Sequence, residues 1–261
     1  MRRTLTFLFA LWKANLLAAM EFRVPFFTQV IGMMLNNGVY FLFWVIFFDR
    51  FSEVRGWQIN DMLVLFGIVA SGFGLCAFLF GNTFTLADVI ATGRLDYYLS
   101  LPRPVLLHVL ASRSISSGLG DFLYGLFSFL ASRPSSLETL ARFLIGVLLS
   151  MTIFLSFMVL VQSLAFWIGN AQMLGTQAQN AMVTFSIYPI TLFEGPAKFI
   201  LYTIIPAALI GAIPAEFVRS FSWMALAEML GAAGILLTLA LTAFYRGLRR
   251  YESGSAIQTQ T

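Results

Sequence analysis

VPFFTQVIGMMLNNGVYFLFWVIFF, residues 24–48, is an uncharged run of 25 residues. A helix needs roughly 20 residues to cross a hydrocarbon core of about 30 Å, so this run is long enough for one membrane span. Residues 62–87 form a second uncharged run, and residues 143–193 form a third run of 51 residues, which is long enough for two crossings. The sequence therefore predicts several spans.

The composition agrees with a membrane protein. Hydrophobic residues make up 59% of the chain and charged residues 11%, with a mean hydropathy of +0.84, whereas soluble domains are about 45–50% apolar and about 25% charged. Lipid offers no partners to backbone N–H and C=O groups, and the alternation of a barrel strand is absent, so the spans must be helical. The expected fold class is an all-α integral membrane protein.

Several function classes are disfavoured by what the sequence lacks. The net charge of +4 lies in loops and at the ends without forming a basic stripe, so no nucleic acid partner is expected. A phosphate-binding loop needs a lysine, and neither Lys13 nor Lys198 stands in such a motif. With one histidine, His108, and one cysteine, Cys76, no metal cluster is expected. The chain is expected to be no enzyme and to bind no cofactor itself.

Six spans are expected, at about 24–48, 62–82, 105–131, 140–168, 173–193 and 222–245. Residues 1–23 are expected to form an interfacial helix, because Lys13 would cost about 2.5–3.5 kcal/mol at the centre of a span. The segment at about 197–214 is short and contains Pro206 and Pro214, which suggests a re-entrant pair of half-helices. Residues 251–261 are expected to form a cytoplasmic tail.

An eight-span alternative, in which residues 4–22 and 197–214 both cross, is not excluded by charge counting. Both arrangements place ten Lys and Arg inside, against six outside for six spans and five for eight. Lys13 and the two prolines favour the six-span arrangement, with both termini cytoplasmic.

Two charged residues, Arg113 and Asp121, fall inside the third predicted span, where charges are costly and face a partner or a watery cavity. On one helix they would lie about 12 Å apart along the axis and roughly 80° apart around it, so a direct salt bridge is not expected and each needs another partner. Gly118 and Gly120 would let a second helix approach closely. The other intramembrane polar candidates, for a pathway or for helix packing, are Glu228, Gln162 and Asn36.

The stretch FTLADVIATGRLDYYLSLPRP, within residues 83–104, is expected to form a short amphipathic helix, a break at Gly93 and a second turn before Pro102 and Pro104 redirect the chain. A passive turn between helices needs only about 2–8 residues. A docking surface is therefore favoured over a solvated face.

The run Gly93, Leu95, Asp96, Leu99 and Pro102, followed by Arg113, GLGDFLYG, SIYPITLF and IIPAALIGAIPAEFV, resembles the permease subunits of ABC-2 type ABC transporters, and a family of bacterial permeases of this length in particular. The likeness covers nearly the whole chain. Pro104 follows Pro102 by two residues, which departs from the family spacing.

The resemblance implies an N-terminal interfacial connecting helix, a cytoplasmic coupling helix between spans 2 and 3, and a re-entrant segment before span 6. It also implies a pair of ABC ATPase subunits that bind ATP and Mg²⁺, a second permease that is identical or related, and a place in the bacterial inner membrane as part of an exporter. The residues that it assigns to ATPase docking are Asp88, Gly93, Arg94, Asp96, Tyr97, Pro102 and Arg103.

Two other classes of function are less well supported by the sequence. An ion-coupled secondary transporter would use Arg113, Asp121 and Glu228 as relay groups, but no internal repeat supports it. An intramembrane enzyme would need clustered Asp, His or Ser groups at the membrane surface, and the sequence offers none. The cargo is left open.

Overall fold

The computed structural model describes residues 2–134 and 136–252, and the part of the chain that it describes is helical without a β-sheet. The predicted tail therefore lies almost wholly outside the described residues. The helices are α1 (Arg2–Glu21), α2 (Arg23–Arg50), α3 (Ile59–Leu79), α4 (Leu86–Ala91), α5 (Leu95–Leu99), α6 (Val105–Ala111), α7 (Ser117–Ala131), α8 (Leu137–Gln162), α9 (Ala165–Ile168), α10 (Gln172–Ser186), α11 (Gly195–Thr203), α12 (Ala212–Arg219) and α13 (Trp223–Leu248).

Four helical segments among these residues are long and apolar enough to cross a membrane: Arg23–Arg50, Ile59–Leu79, Leu137–Ile168 and Trp223–Leu248. They match the first, second, fourth and sixth predicted spans. The chain is thus a multi-pass membrane protein, with α3 as its most buried span and with α2 and α13 largely exposed along their sides. Helices α7 and α10, in the third and fifth predicted spans, have only 15 residues each.

Glycines bring α3 and α7 into close contact at the centre of the bundle. A Cβ on Gly74 would lie 2.5 Å from the backbone oxygen of Gly118, and a Cβ on Gly125 would lie 2.5 Å from the backbone oxygen of Gly67. On the other side of α7, a Cβ on Gly120 would lie 2.2 Å from the backbone oxygen of Val30 in α2. Small residues let helix backbones approach in this way, so the prediction of a close helix contact at residues 118 and 120 is confirmed.

The prediction of one continuous helix over residues 105–131 is wrong. The helix is interrupted between α6 and α7, where the N–H of Ile115 donates to the Ala77 oxygen and the oxygen of Arg113 accepts from the N–H of Gly81. Serines at 112, 114, 116 and 117 favour such a break because their side chains compete for backbone hydrogen bonds. The end of α3 satisfies the backbone groups that the break exposes, and Arg113 lies in the break, not within a helix.

The prediction of a helix over residues 173–193 is also wrong in its second half. Helix α10 ends at Ser186, and a short 3-10 turn covers Ile190–Leu192. Pro189 explains the end of the helix, because the residue before a proline is disfavoured in the α-helical conformation.

Helices α11 and α12 form a pair that begins and ends at the same end of the bundle. Glu194, before α11, forms an ion pair with Arg55 at 2.5 Å. Arg219, at the end of α12, forms an ion pair with Asp61 at 2.8 Å and donates to the Gly56 oxygen at 3.1 Å. Both ends of the pair therefore meet the loop between α2 and α3 and the start of α3.

Helix α1 contacts the other end of the bundle, where α3 ends and α6 lies, and we call this the α1 end. The indole N–H of Trp12 donates to the Leu79 oxygen at 2.8 Å, and the Asn15 amide donates to the Ala111 oxygen at 3.1 Å. The ring of Phe7 packs edge-on against that of His108, with 4.9 Å between centroids. Three positions along α1 thus contact the same end.

Candidate functional site

A cavity of about 500 Å³ lies between α2, α3, α7 and α10. Its shape brings together side chains that are far apart in the sequence. The polar residues that line it are Asn36, Asn37, Asp121, Gln179, Asn180 and Thr184, and the aromatic ones are Tyr40, Phe66, Phe73 and Tyr188. Two of the predicted intramembrane polar residues, Asn36 and Asp121, therefore share one cavity.

The partner that Asp121 needs is Asn37. The Asn37 amide donates a hydrogen bond to Oδ1 of Asp121 at 2.7 Å and a second one to the Met33 oxygen at 3.0 Å. Asp121 is 4% exposed, and its Oδ2 is buried without a hydrogen-bond partner among the described residues. Asn36, the residue singled out from the sequence, is exposed at the cavity, whereas the adjacent Asn37 makes the contact with Asp121.

The exposed side of α10 carries a row of polar residues, beside which Met173, Leu174 and Phe185 are exposed as well. Gln177, Asn180 and Thr184 are exposed there, about one helical turn apart, and Asn180 and Thr184 also line the cavity. Uncharged polar side chains are disfavoured against lipid tails, where water cannot hydrogen-bond to them. This side of α10 is therefore suited to a water-filled space or to another subunit.

The three residues of the proposed ion relay are not brought together. Asp121 lines the cavity, whereas Arg113 is exposed in the break at the α1 end. Glu228 lies on α13, outside the lining of the cavity, and its charge acts on Tyr202 and Glu216. Arg113, Asp121 and Glu228 therefore do not share the single site that an ion relay between them would need. Among the described residues no group of three or more His, Cys, Asp or Glu could hold a metal ion.

At the α1 end, residues 81–104 form a compact unit, which we call the surface segment. It consists of a 3-10 turn at Gly81–Thr85, then α4, a turn in which Gly93 has φ +76°, and α5. The positive φ is one that glycine adopts without strain, which explains the predicted break. The inner side is buried and apolar, and the exposed residues are Ala91, Thr92, Arg94, Tyr97, Leu99, Ser100, Pro102, Arg103 and Pro104.

The charged residues of the surface segment have partners within the chain. Arg94 forms an ion pair with Asp88, and the guanidinium of Arg103 lies over the Phe7 ring, 4.7 Å from its centroid. Burial, together with the nearby Asp96, raises the pKa of Tyr251 to about 12. Tyr97 is different, because its side chain is 65% exposed. The predicted docking residues therefore share one surface, of which Tyr97 is the most prominent aromatic.

Gln162 does not line the cavity and instead joins the surface segment to α8. Its Oε1 accepts from the Ala87 N–H at 3.0 Å, and its Nε2 donates to the Phe84 oxygen at 3.1 Å. Gln172 of α10 donates to the same Phe84 oxygen at 2.8 Å. Gly175, which the sequence did not single out, makes room for the amide, because a Cβ there would lie 2.5 Å from Nε2 of Gln162.

The model of a family described as ABC-2 family transporter protein matches residues 34–255, which include the surface segment and every residue that lines the cavity except Met33. No curated protein and no solved structure matches the chain.

Proposed function

The chain belongs to the ABC-2 family of transporter proteins, and from this premise we propose that it is the permease subunit of an exporter driven by separate ATPases. It forms half of a translocation pathway, and a second permease, identical or related, supplies the other half. ATP and Mg²⁺ bind to a pair of ABC ATPase subunits that dock on the surface segment. The chain itself binds no cofactor and catalyses no reaction.

The observation that carries the proposal is the row of exposed polar residues on α10 beside the cavity. In a chain this apolar, Gln177, Asn180 and Thr184 would be poorly placed against lipid. A second permease packed over this side would close the cavity laterally and leave a polar path between the two subunits. Asn36 and Asp121 belong to this path, whereas Gln162 has a packing role.

Coupling is supported by the way the surface segment is attached. Gln162 and Gln172 hold its backbone at Phe84 and Ala87. One of these amides is the last residue of α8 and the other is the first of α10, the helix that lines the cavity. A displacement of α4 and α5 by an ATPase would thus be passed to both helices through hydrogen bonds as well as apolar contacts.

We place the protein in the bacterial inner membrane with six spans and with both termini in the cytoplasm. The α1 end is then the cytoplasmic end, where α1 lies along the interface. Helices α11 and α12 form the re-entrant pair, an arrangement that is supported by the contacts of Glu194 and Arg219 at one end of the bundle. The interrupted α6–α7 unit and the short α10 make the third and fifth crossings.

The test is affinity purification of the tagged chain from its native membrane in mild detergent, followed by mass spectrometry and an ATPase assay. We expect a stoichiometric soluble subunit with a phosphate-binding lysine motif, together with ATPase activity. A second permease in the eluate would identify a heterodimer. A chain that elutes alone or only with itself, without ATPase activity, would contradict the proposal.

A further inference from the structure

The charges around the cavity point to the chemical class of its cargo. Asp121 is the acidic residue among the described residues that line the cavity, and none of them is Lys, Arg or His. We propose that the cavity binds organic cations with an apolar body and that Asp121 supplies the opposite charge. This inference rests on the proposed role of the cavity as part of the translocation pathway.

Asp121 has an unused acceptor at the cavity wall. Asn37 satisfies Oδ1, while Oδ2 is buried and has no partner among the described residues. Buried polar atoms are nearly always hydrogen-bonded, and carboxylates inside a membrane face a partner or a watery cavity. A cation that enters the cavity would provide the missing partner.

The other walls suit the rest of such a molecule. The rings of Tyr40, Phe66, Phe73 and Tyr188 line the cavity, and aromatic faces attract cations as well as apolar groups. A volume of about 500 Å³ lies within the range of about 300–1,000 Å³ that is usual for small-molecule pockets. An anion of the same size would meet Asp121 without a basic residue to offset the repulsion.

A packing role alone does not account for the carboxylate. The hydrogen bond from Asn37 joins α2 to α7 through Oδ1, and an uncharged asparagine at position 121 could accept the same bond. The acid adds a charge, whose burial is costly, and a second oxygen that has no hydrogen-bond partner among the described residues. Recognition of a positive charge explains both.

The experiment uses two probes that have nearly the same shape and opposite charge, tetraphenylphosphonium and tetraphenylborate. The tagged chain, with the subunits that copurify, is placed in nanodiscs of zwitterionic lipid, and binding is measured by equilibrium dialysis against empty nanodiscs. We expect saturable binding of tetraphenylphosphonium that is at least about tenfold tighter than that of tetraphenylborate. Asp121→Asn should weaken the binding of the cation by about tenfold or more.

The matched control is Glu228→Gln, which removes a carboxylate outside the cavity and should leave the binding of tetraphenylphosphonium unchanged. A second variant, Asn180→Arg, adds a positive charge at an exposed position of the lining and decides the matter if Asp121→Asn does not fold. It should weaken binding of the cation and strengthen binding of tetraphenylborate.

The inference would be overturned if the parent bound both probes with equal affinity. It would also be overturned if neither Asp121→Asn nor Asn180→Arg changed the binding of the cation. If the cation does not bind but an ATPase subunit copurifies, the cargo class is wrong and the permease function stands. If the cation binds with these charge effects and no ATPase is present, the cation site stands and the proposed function fails.

Discussion

The side chain of Gln162 reaches from the end of α8 to Ala87, whose backbone N–H donates to its Oε1 at 3.0 Å. The same amide donates to the Phe84 oxygen, so one side chain holds two backbone groups of the surface segment. The contact joins a long membrane span to the segment that carries the proposed ATPase contacts.

Gln162→Met should loosen the surface segment. The change keeps a similar volume but leaves the buried Ala87 N–H without its acceptor, at a cost of about 1–3 kcal/mol. We expect faster amide hydrogen exchange over residues 84–91 and a lower Tm of the purified chain. Gln177→Met, the same substitution at an exposed position of α10, is the control and should change neither. Unaltered exchange in the Gln162 variant would mean that apolar packing alone holds the segment.

Gly125→Ala should destabilise the α3–α7 contact. The new Cβ would lie 2.2 Å from Oγ of Ser71 and 2.5 Å from the backbone oxygen of Gly67, so the helices would have to separate. Such overpacking typically costs about 1–3 kcal/mol. Thermal unfolding in detergent should show a reduced Tm.

The control for the glycine contact is Gly234→Ala in α13, where a Cβ would have no neighbour within 4 Å. Alanine is intrinsically favoured over glycine in a helix by about 1 kcal/mol, so this variant should be as stable as the parent or more so. If the two variants unfold at the same temperature, the close approach of α3 and α7 contributes little to stability.

Tyr97→Ala should weaken ATPase association without affecting the fold. The exposed ring has few contacts to lose within the chain, and aromatic residues are enriched among those that dominate binding energy at interfaces. We expect the amount of ATPase that copurifies to fall at least severalfold, with an unchanged Tm. Tyr98→Ala is the contrasting variant, since Tyr98 hydrogen-bonds to Ser112 and packs on His108, and it should lower the Tm.

Charge reversal at Arg94 and Asp96 together should abolish stimulated ATPase activity in the assembled complex while leaving membrane insertion intact. Arg94 forms an ion pair with Asp88. The double variant Asp88→Arg/Arg94→Glu keeps this ion pair but reverses the charge that each position presents to an ATPase. The exposed pair contributes at most about 1 kcal/mol to stability. We expect the exchanged variant to elute like the parent but not to capture the ATPase, whereas normal capture would show that the charges serve only each other.

Arg219→Lys should weaken the attachment of α12 to the loop between α2 and α3. Arg219 pairs with Asp61, donates to the Gly56 oxygen and lies over the Trp57 ring, 5.2 Å from its centroid. A lysine ammonium lacks the planar fork and cannot keep all three contacts, so it should behave much like alanine. Thermal unfolding in detergent checks this, and both Arg219→Lys and Arg219→Ala should show a lower Tm than the parent. An unchanged Tm in both variants would mean that the three contacts contribute little to stability.

Much of the path of the chain could be predicted from long uncharged runs, because the absence of water in lipid forces such runs into helices whatever their neighbours are. The spans predicted at 24–48 and 222–245 correspond closely to α2 and α13, although the second contains Glu228. The breaks could not be predicted equally well. The interruption at residues 112–116 depends on backbone partners at the end of α3, more than thirty residues earlier in the chain.

The candidate site, too, could be predicted from the sequence only in part. Hydropathy alone identified Asp121, Gln162 and Asn36 as costly polar groups, because any polar side chain in an apolar run stands out. Composition and hydropathy are therefore enough to show that the chain crosses a membrane and which side chains need partners there. That Asp121 lines a cavity with Asn37 beside it, and that Gln162 holds the surface segment, depends on the folded arrangement of the helices. Which helix faces which polar group follows from where glycines let the backbones meet.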